Sequence, residues 1–213
     1  MAKFVIFDMD GVIVDSEYIF LGTKTEMLLD RGIDTDISYQ YQFMGTTFDV
    51  MWTQMKEEKG LTETVPQLIA EMNRRREEKK ARDGVRPIKG APELIRYLYE
   101  NGYRMAVASS SPKEEIIRNL EALGIADAFE FKVSGEEVAK PKPAPDVFLK
   151  AAELLGAEAS SCTVIEDTKL GSQAAKAAGM RCLGFENPDY PAQDLSACDH
   201  VVTDYKDIYQ YFD

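Results

Sequence analysis

The chain has 213 residues, of which 45% are hydrophobic, and it carries a formal net charge of -12 at pH 7. This composition is typical of a globular protein with one large or two small domains. The acidic balance argues against a nucleic-acid-binding surface, which needs basic stripes. No run of roughly eighteen apolar residues indicates a membrane span, and the segment Phe4–Phe7 is too short for a signal peptide. We therefore expect a cytoplasmic protein whose three cysteines are reduced thiols: Cys162, Cys182 and Cys198.

The first predicted element is a buried strand, Lys3–Phe7, which runs directly into Asp8 and Asp10. The next 70 residues or so, from 16 to 85, carry only helical patterns. A crossover between parallel strands needs only about a dozen residues, so this excess predicts an inserted helical domain. Its helices are predicted over three segments: Tyr18–Leu29, Phe48–Lys59 and Val65–Arg82.

Strand and helix patterns alternate after Ile88, which is typical of a parallel sheet covered on both faces. The predicted strands are Met105–Ala108, Phe129–Val133, Cys162–Ile165, Arg181–Phe185 and His200–Thr203. Five helices are predicted in this part of the chain. The first begins near Gly90, the next three cover Pro112–Leu123, Asp146–Leu155 and Thr168–Ala178, and the last begins at about Asp204. The predicted fold class is α/β: a doubly wound, Rossmann-like sheet core (1–15 and 86–213) with an inserted α-helical domain (16–85).

Chemically active side chains follow four of the predicted strands. Ligands of an open parallel sheet bind beyond the carboxyl ends of its strands, so these side chains are expected to meet at one edge. They are Asp8 and Asp10 after the first strand, Ser109 and Ser110 after the second, Lys142 in a proline-rich segment, and Glu166 and Asp167 after the fourth.

This combination fits phosphoryl transfer. Clustered carboxylates raise each other's pKa unless a divalent cation neutralises them, and oxygen ligands favour Mg²⁺. A carboxylate can attack phosphorus, while a hydroxyl and a lysine stabilise the phosphoryl oxygens. Each part also has an ordinary structural interpretation: a turn at Asp10-Gly11, a helix cap at Ser109–Pro112, or a helix N-terminus at Glu166–Thr168. Their joint occurrence at successive strand ends favours the functional interpretation.

The order DxDGV, a strand ending in Ser, KPxP and a strand ending in Glu-Asp resembles the haloacid dehalogenase superfamily. The resemblance is strongest to the branch with β-phosphoglucomutase and small-metabolite phosphatases, and it covers nearly the whole chain. It implies that Asp8 is the nucleophile and a Mg²⁺ ligand. Asp10 would be the general acid/base, with its backbone carbonyl on the metal. Asp167 would be the acidic metal ligand. Glu166 would either coordinate the metal directly or contact a residue that coordinates it.

The resemblance also implies a phosphate-binding set. Ser109 matches the phosphate-binding hydroxyl, with the Ser110 backbone beside it, and Lys142 matches the phosphate-binding lysine. Lys140 is the competing lysine, but the segment KPAPD that starts at Lys142 fits the family pattern better.

The inserted helices resemble the cap that closes over the site in this branch, where it excludes water and selects the substrate beyond its phosphate. Five cap residues are candidates for substrate specificity: Glu17, Phe20, Gly45, Thr46 and Thr47. Asp15-Ser16-Glu17 is the expected hinge entry. Met51, Trp52 and Met55, with Phe20 and Phe48, could line an apolar site, but cap core is the favoured interpretation.

The cap also bears on the choice between mutase and phosphatase. β-Phosphoglucomutase has a cap histidine where this chain has Phe20, and an arginine for a second phosphate where it has Phe48. A mutase must hold a bisphosphate and keep water from its phosphoenzyme, so the two phenylalanines favour hydrolysis. The basic run Arg74-Arg75-Arg76 is interpreted as a solvated helix face with pairs such as Glu71–Arg75, the alternative being a substrate contact.

The sequence therefore predicts a Mg²⁺-dependent phosphatase of a small phosphorylated metabolite, with a sugar phosphate as one candidate, acting through an aspartyl phosphate. A phosphosugar mutase is the alternative. A dehalogenase is disfavoured because Asp10 is present. A receiver domain is disfavoured because it has its acidic pair on the first strand and its nucleophile on a later one, whereas here DxD lies at the first strand and the acidic pair follows a later one. No nucleic-acid or membrane partner is expected. A monomer is favoured over an obligate oligomer because the cap would be the enzyme's own lid.

Overall fold

The computed structural model describes residues 3–44 and 46–212. Its six-stranded sheet has the order β3-β2-β1-β4-β5-β6, and every neighbouring pair is parallel. The strands are β1 (Phe4–Phe7), β2 (Arg104–Ser109), β3 (Phe131–Ser134), β4 (Cys162–Glu166), β5 (Arg181–Phe185) and β6 (His200–Val202). The predicted α/β fold class is confirmed.

Seven α-helices occur in the part of the chain that the structure describes. They are α1 (Glu17–Leu29), α2 (Phe48–Lys59), α3 (Val65–Asp83), α4 (Ala91–Glu100), α5 (Lys113–Ala122), α6 (Asp146–Leu155) and α7 (Lys169–Ala177). The first three lie between β1 and β2, as predicted for the helical insertion. The chain divides into two compact units. A sheet unit comprises the described residues up to Asp15 and from Val85 onward, and a helical unit spans Ser16–Gly84.

The sheet is buried on both faces because its strands are almost wholly apolar. Successive side chains of a strand point to opposite faces, so Val5 and Phe7 of β1 enter one hydrophobic cluster and Ile6 enters the other. Burial of a large aliphatic or aromatic side chain contributes about 1.5–3 kcal/mol. The central strand β1 is therefore firmly anchored directly before Asp8.

The helical unit has a hydrophobic core of its own. Met51, Trp52 and Met55 on α2 are at most 2% exposed and belong to this core, which bears out their interpretation as cap core. Thr64 forms a capping box with Gln67 at the start of α3, and Arg75 pairs with Glu71 at 2.8 Å, as predicted. The unit thus has its own packing and helix caps.

One predicted element and one predicted boundary were wrong. The predicted helix from Asp204 is instead a pair of 3-10 turns, Tyr205–Asp207 and Tyr209–Tyr211. The first turn begins where the Asp204 side chain accepts a hydrogen bond from the Lys206 backbone, a local bond that competes with helix extension. Strand β3 starts two residues later than predicted because a 3-10 turn, Ala126–Ala128, precedes it.

The cysteines and the single histidine occupy structural positions. Cys162 and Cys182 are buried, and all three cysteines are free thiols, as expected. His200 lies exposed on edge strand β6 and stacks on the Tyr211 ring at 4.7 Å. No helix among residues 3–44 and 46–212 is long and apolar enough to cross a membrane.

Candidate active site

The parallel register brings the predicted polar residues to one edge of the sheet. Strand β1 lies between β2 and β4, with Phe7 level with Val107 on one side and Ile165 on the other. The chain leaves β1 at Asp8, whose backbone N–H still bonds to the Ile165 carbonyl at 3.0 Å. Ser109 ends β2 and Glu166 ends β4, so their positions follow from the register.

A buried lysine joins two of the carboxylates. Lys142 Nζ lies 2.6 Å from Asp8 Oδ1 and 2.8 Å from Glu166 Oε1. The side chains of Lys142 and Asp8 are each 8% exposed, and that of Glu166 is 1% exposed. Lys140, the competing lysine, is exposed. The structure therefore places Lys142 between the first and fourth strand ends.

Burial controls the ionisation of this group. It raises the pKa of Asp8 to about 7, and the charges of Glu166 and Asp10 add to that shift while Lys142 opposes it. Burial lowers the pKa of Lys142, but the charges of Asp8 and Glu166 outweigh it, so the net shift is upward. Lys142 therefore stays cationic, and Asp8 beside it is a weaker acid than an ordinary aspartate.

Three carboxylates form a potential cation site. Oxygen atoms of Asp8, Glu166 and Asp167 lie within 4.8 Å of one another. Glu166 also accepts hydrogen bonds from the Thr168 N–H at 2.7 Å and its hydroxyl at 2.9 Å, which hold the carboxylate in place. One lysine cannot balance three carboxylates, and an all-oxygen donor set is the type that Mg²⁺ prefers. The residues present therefore fit a divalent hard cation.

Two glycines leave room for these carboxylates. A Cβ at Gly11, whose φ is +76°, would lie 1.9 Å from Asp167 Oδ2. A Cβ at Gly171, in the first turn of α7, would lie 1.6 Å from Glu166 Oε1. Sequence reasoning did not single out Gly171. The sequence clue to its role was that a glycine lies inside a predicted helix, where alanine is usually the more favourable residue.

We expect Gly171→Ala to reduce activity although alanine is the better helix former. The added methyl group would force the Glu166 carboxylate away from Lys142, because a 1.6 Å approach is impossible. Catalytic efficiency against a hydrolysed phosphomonoester should fall by about tenfold or more, a loss typical of misplaced supporting groups. The matched control is Gly22→Ala in α1, where the nearest atom is the flexible end of Lys79 at 3.0 Å. Equal activity of both variants and the native protein would contradict this account.

Asp10 has a partner that the sequence did not reveal. Ser111 donates its hydroxyl hydrogen bond to Asp10 Oδ2 at 2.6 Å, and its backbone N–H bonds to Ser109 Oγ at 3.1 Å. Helix α5 starts after Pro112 without a side-chain cap, so Ser111 is not a capping residue. The SSS segment indicated a cap or phosphate loop, but its contact with Asp10 spans 101 positions and depends on the fold. Ser110 follows β2 directly and is exposed.

The candidates in the helical unit are distributed over two segments. Glu17 begins α1, and Phe20 follows one turn later. Thr46 donates a hydrogen bond to the Phe43 carbonyl at 2.7 Å, and Thr47 caps α2 through the Val50 N–H. Both threonine hydroxyls therefore have local structural roles, while Gly45 lies outside the described residues.

Asp15, the expected hinge residue, is only 5% exposed. It accepts a hydrogen bond from the Tyr190 hydroxyl at 2.7 Å and pairs with Arg86 at 3.3 Å. Its N–H also bonds to the Arg86 carbonyl at 2.9 Å. These contacts tie the end of the first segment to the returning chain within the sheet unit.

Comparison with known proteins identifies the family of this arrangement. Residues 5–185 match the family profile described as haloacid dehalogenase-like hydrolase. The chain is 35% identical over 187 residues to SUPPRESSOR OF QUENCHING 1, a chloroplastic protein of Arabidopsis thaliana, covering 85% of this chain but only 18% of that protein. It is 30% identical over 193 residues to hexitol phosphatase B of Escherichia coli K12, covering 86% of this chain and 83% of that enzyme.

A solved structure shows the same fold. A hydrolase from Deinococcus radiodurans R1, determined with bound phosphate and sodium, superposes with a TM-score of 0.87 at 29% identity. The match covers 99% of this chain and 95% of that one. The similarity thus extends over both the sheet and the helical insertion.

Proposed function

This chain belongs to the haloacid dehalogenase-like hydrolases, and we propose that it is a Mg²⁺-dependent phosphatase of a small phosphorylated metabolite. The observation that carries the proposal is the buried group at the sheet edge, in which Lys142 bridges Asp8 and Glu166 and Asp167 completes a carboxylate cluster. The relationship to hexitol phosphatase B supports a phosphorylated sugar or polyol as substrate.

In the proposed reaction, Asp8 attacks the phosphorus atom while the bond from phosphorus to the metabolite oxygen breaks. Asp10 gives its proton to the departing oxygen and then takes one from the water that hydrolyses the aspartyl phosphate. The Ser111 hydroxyl, 2.6 Å from Asp10 Oδ2, would orient that carboxyl group. Hydrolysis frees phosphate and restores the Asp8 carboxylate.

The other residues would stabilise charge. Lys142 and Ser109 would bind phosphoryl oxygens, with the Ser110 backbone beside them. Asp8, Glu166 and Asp167, with the Asp10 carbonyl, would hold Mg²⁺, which when bound neutralises negative charge on the phosphoryl group and the carboxylates. Lys142 alone cannot do this because it already balances two carboxylates.

Hydrolysis is proposed in preference to phosphosugar transfer because of the helical unit. By the family resemblance, Phe20 and Phe48 match the positions at which β-phosphoglucomutase has a histidine and a phosphate-binding arginine. Their rings lie 6.2 Å apart. Apolar rings cannot replace those two polar contacts. A mutase must keep water from its phosphoenzyme, so the absence of both contacts favours hydrolysis.

The decisive experiment is a Mg²⁺-dependent hydrolysis screen over phosphorylated sugars, polyols, phosphoglycolate and nucleotides, with Asp8→Asn protein as the blank. Phosphate release from a monophosphate, absent from the blank, would support the proposal. Bisphosphate-dependent isomerisation of β-glucose 1-phosphate without phosphate release would identify a mutase and refute it.

We also expect the Mg²⁺ requirement to increase as pH falls. Without the metal, burial raises the pKa of Asp8 to about 7, so a proton competes with Mg²⁺ for this carboxylate below that pH. The Mg²⁺ concentration for half-maximal activity should rise roughly tenfold per pH unit below about pH 7 and level off above it. Mg²⁺ titrations of phosphate release between about pH 6 and pH 8 test this expectation. A requirement independent of pH would contradict it.

A further inference from the structure

Two of the free thiols in the sheet unit are in contact with each other. Cys182 Sγ and Cys198 Sγ lie 3.5 Å apart and share a hydrogen bond. Cys182 is on β5 and is completely buried, whereas Cys198 lies just before β6 and is half-buried. The pair therefore joins a residue of the core to a residue that solvent reaches. Cys162, the third cysteine, is buried and donates its hydrogen bond to the Glu158 carbonyl at 3.6 Å instead.

The backbone holds the two cysteines side by side. The N–H of Asp199, the residue after Cys198, bonds to the Cys182 carbonyl at 2.9 Å. The Asp199 side chain also accepts a hydrogen bond from the Cys182 N–H at 2.7 Å, and Lys176 on α7 pairs with the same carboxylate at 2.7 Å. Both backbone polar groups of Cys182 are thus bound to the neighbour of Cys198, and the thiol contact is built into the fold.

We propose that Cys182 and Cys198 form a reversible disulfide in the presence of hydrogen peroxide. A disulfide needs sulfur atoms about 2 Å apart, so the two must approach by about 1.5 Å from their contact at 3.5 Å. The connection between β5 and β6, residues 186–199, has no helix or strand to resist this movement. This modification site is independent of the proposed phosphatase function.

The oxidation balances with hydrogen peroxide as the oxidant. The Cys198 sulfur attacks one peroxide oxygen, the O–O bond breaks, and a water leaves while Cys198 becomes a sulfenic acid. The Cys182 sulfur then attacks the sulfenic sulfur, the S–S bond forms, and the S–O bond breaks to release a second water that carries the Cys182 proton. Together the sulfur atoms lose two electrons, which reduce both peroxide oxygens to water. A dithiol reductant reverses the change by thiol–disulfide exchange.

The surroundings of the pair assign the first step to Cys198. Cys198 is the more accessible of the two residues. Its hydrogen bond with Cys182 lowers the pKa of Cys198, against the opposing effects of burial and of the Glu166 charge. The same bond, together with burial, raises the pKa of Cys182. Because the thiolate is the reactive form of cysteine, peroxide should oxidise Cys198, and contact with the sulfenic acid compensates for the weaker reactivity of Cys182.

The disulfide would protect the protein from irreversible oxidation. A sulfenic acid that meets no thiol reacts with a second peroxide to give a sulfinic acid, which a dithiol does not reduce. A sulfinate at Cys198 would add a negative charge near Glu166, whose charge already acts on both sulfur atoms. The disulfide is uncharged and closes a loop of 15 intervening residues, 183–197. That closure should raise the melting temperature by about 5 °C or more.

The test treats reduced native protein with hydrogen peroxide and then denatures it in iodoacetamide, which labels the remaining thiols. Peptide mass spectrometry without reductant should find the peptides of Cys182 and Cys198 linked to each other, with the label on Cys162 alone. Dithiothreitol added before the label should make all three cysteines reactive again. Thermal unfolding of oxidised and reduced protein measures the expected rise of about 5 °C or more.

Variants separate the pair from general thiol oxidation. In Cys182→Ala protein, the same treatment should convert Cys198 to a sulfinic acid that dithiothreitol does not reverse. Cys198→Ser changes only a half-buried position and should leave Cys182 fully reactive toward the label after denaturation. Cys162→Ala is the matched control, because the Cys162 thiol contacts a backbone carbonyl, and this variant should form the disulfide as the native protein does.

Conversion of Cys198 to sulfinic acid in the native protein, as readily as in Cys182→Ala protein, would overturn the proposed disulfide. So would a disulfide that includes Cys162 or joins two chains, or treated protein in which all three thiols still react with the label. An oxidised protein with an unchanged melting temperature would exclude the loop-closing effect. None of these measurements involves phosphate release, so each leaves the assignment as a phosphatase to its own test.

Discussion

Asp8→Asn protein is expected to release no phosphate from any substrate that the native protein hydrolyses. The amide has the size of the carboxylate but is not a competent nucleophile toward phosphorus, so the proposed aspartyl phosphate cannot form. Loss of the nucleophile should reduce kcat by a factor on the order of 10⁴ or more. Phosphate release under saturating Mg²⁺ measures the loss, and mass spectrometry of protein quenched during turnover should find the phosphoryl adduct only on the native chain.

Folding is not expected to explain this loss. The substitution removes one of three clustered carboxylates, which relieves repulsion, although it also removes a 2.6 Å ion pair with Lys142. The matched control is Asp194→Asn, because Asp194 is an exposed carboxylate that pairs with Lys169 at 2.9 Å. That variant should keep native activity. Substantial turnover by Asp8→Asn protein would refute the assigned nucleophile, even if the protein proved to be a phosphatase.

Lys142→Met is expected to impair both activity and stability. The native lysine is 8% exposed and holds Asp8 and Glu166 at 2.6 and 2.8 Å. Its removal leaves two buried carboxylates without their cation, and breaking a buried ion pair in this way costs about 3–5 kcal/mol. Loss of a cation that stabilises phosphoryl oxygens should lower kcat/KM by a factor on the order of 10²–10³. Steady-state kinetics and thermal unfolding, each with and without Mg²⁺, measure the two effects.

The metal dependence distinguishes this account from simple unfolding. Mg²⁺ bound to the carboxylate cluster should restore part of the lost stability, because it replaces the missing positive charge. It should restore little activity, since the phosphoryl contact of the lysine is still absent. Lys140→Met serves as the control, because Lys140 lies in the same proline-rich segment but is exposed. A Lys142→Met variant with native kcat/KM would exclude Lys142 from the site.

The residues at the carboxyl ends of the strands were the predictable part of the site. Asp8, Ser109 and Glu166 occur at or directly after strand ends, and parallel pairing with central β1 brings those ends together. Periodicity and strand length sufficed to find them because both are local properties of the chain. The contact between Ser111 and Asp10 was not predictable in this way, since any of the three consecutive serines could have faced the carboxylate.

The sequence by itself determined the parallel α/β class, the helical insertion and the order in which aspartate, serine, lysine and acidic pair reach one sheet edge. These follow from hydrophobic periods, glycine and proline positions and a rule of sheet topology. Only the tertiary structure decided that Lys142 bridges Asp8 and Glu166 and that Gly171 makes room for the Glu166 carboxylate. Those facts depend on close approaches between distant segments, where differences of a few ångströms set burial, charge balance and pKa, and no local pattern records them.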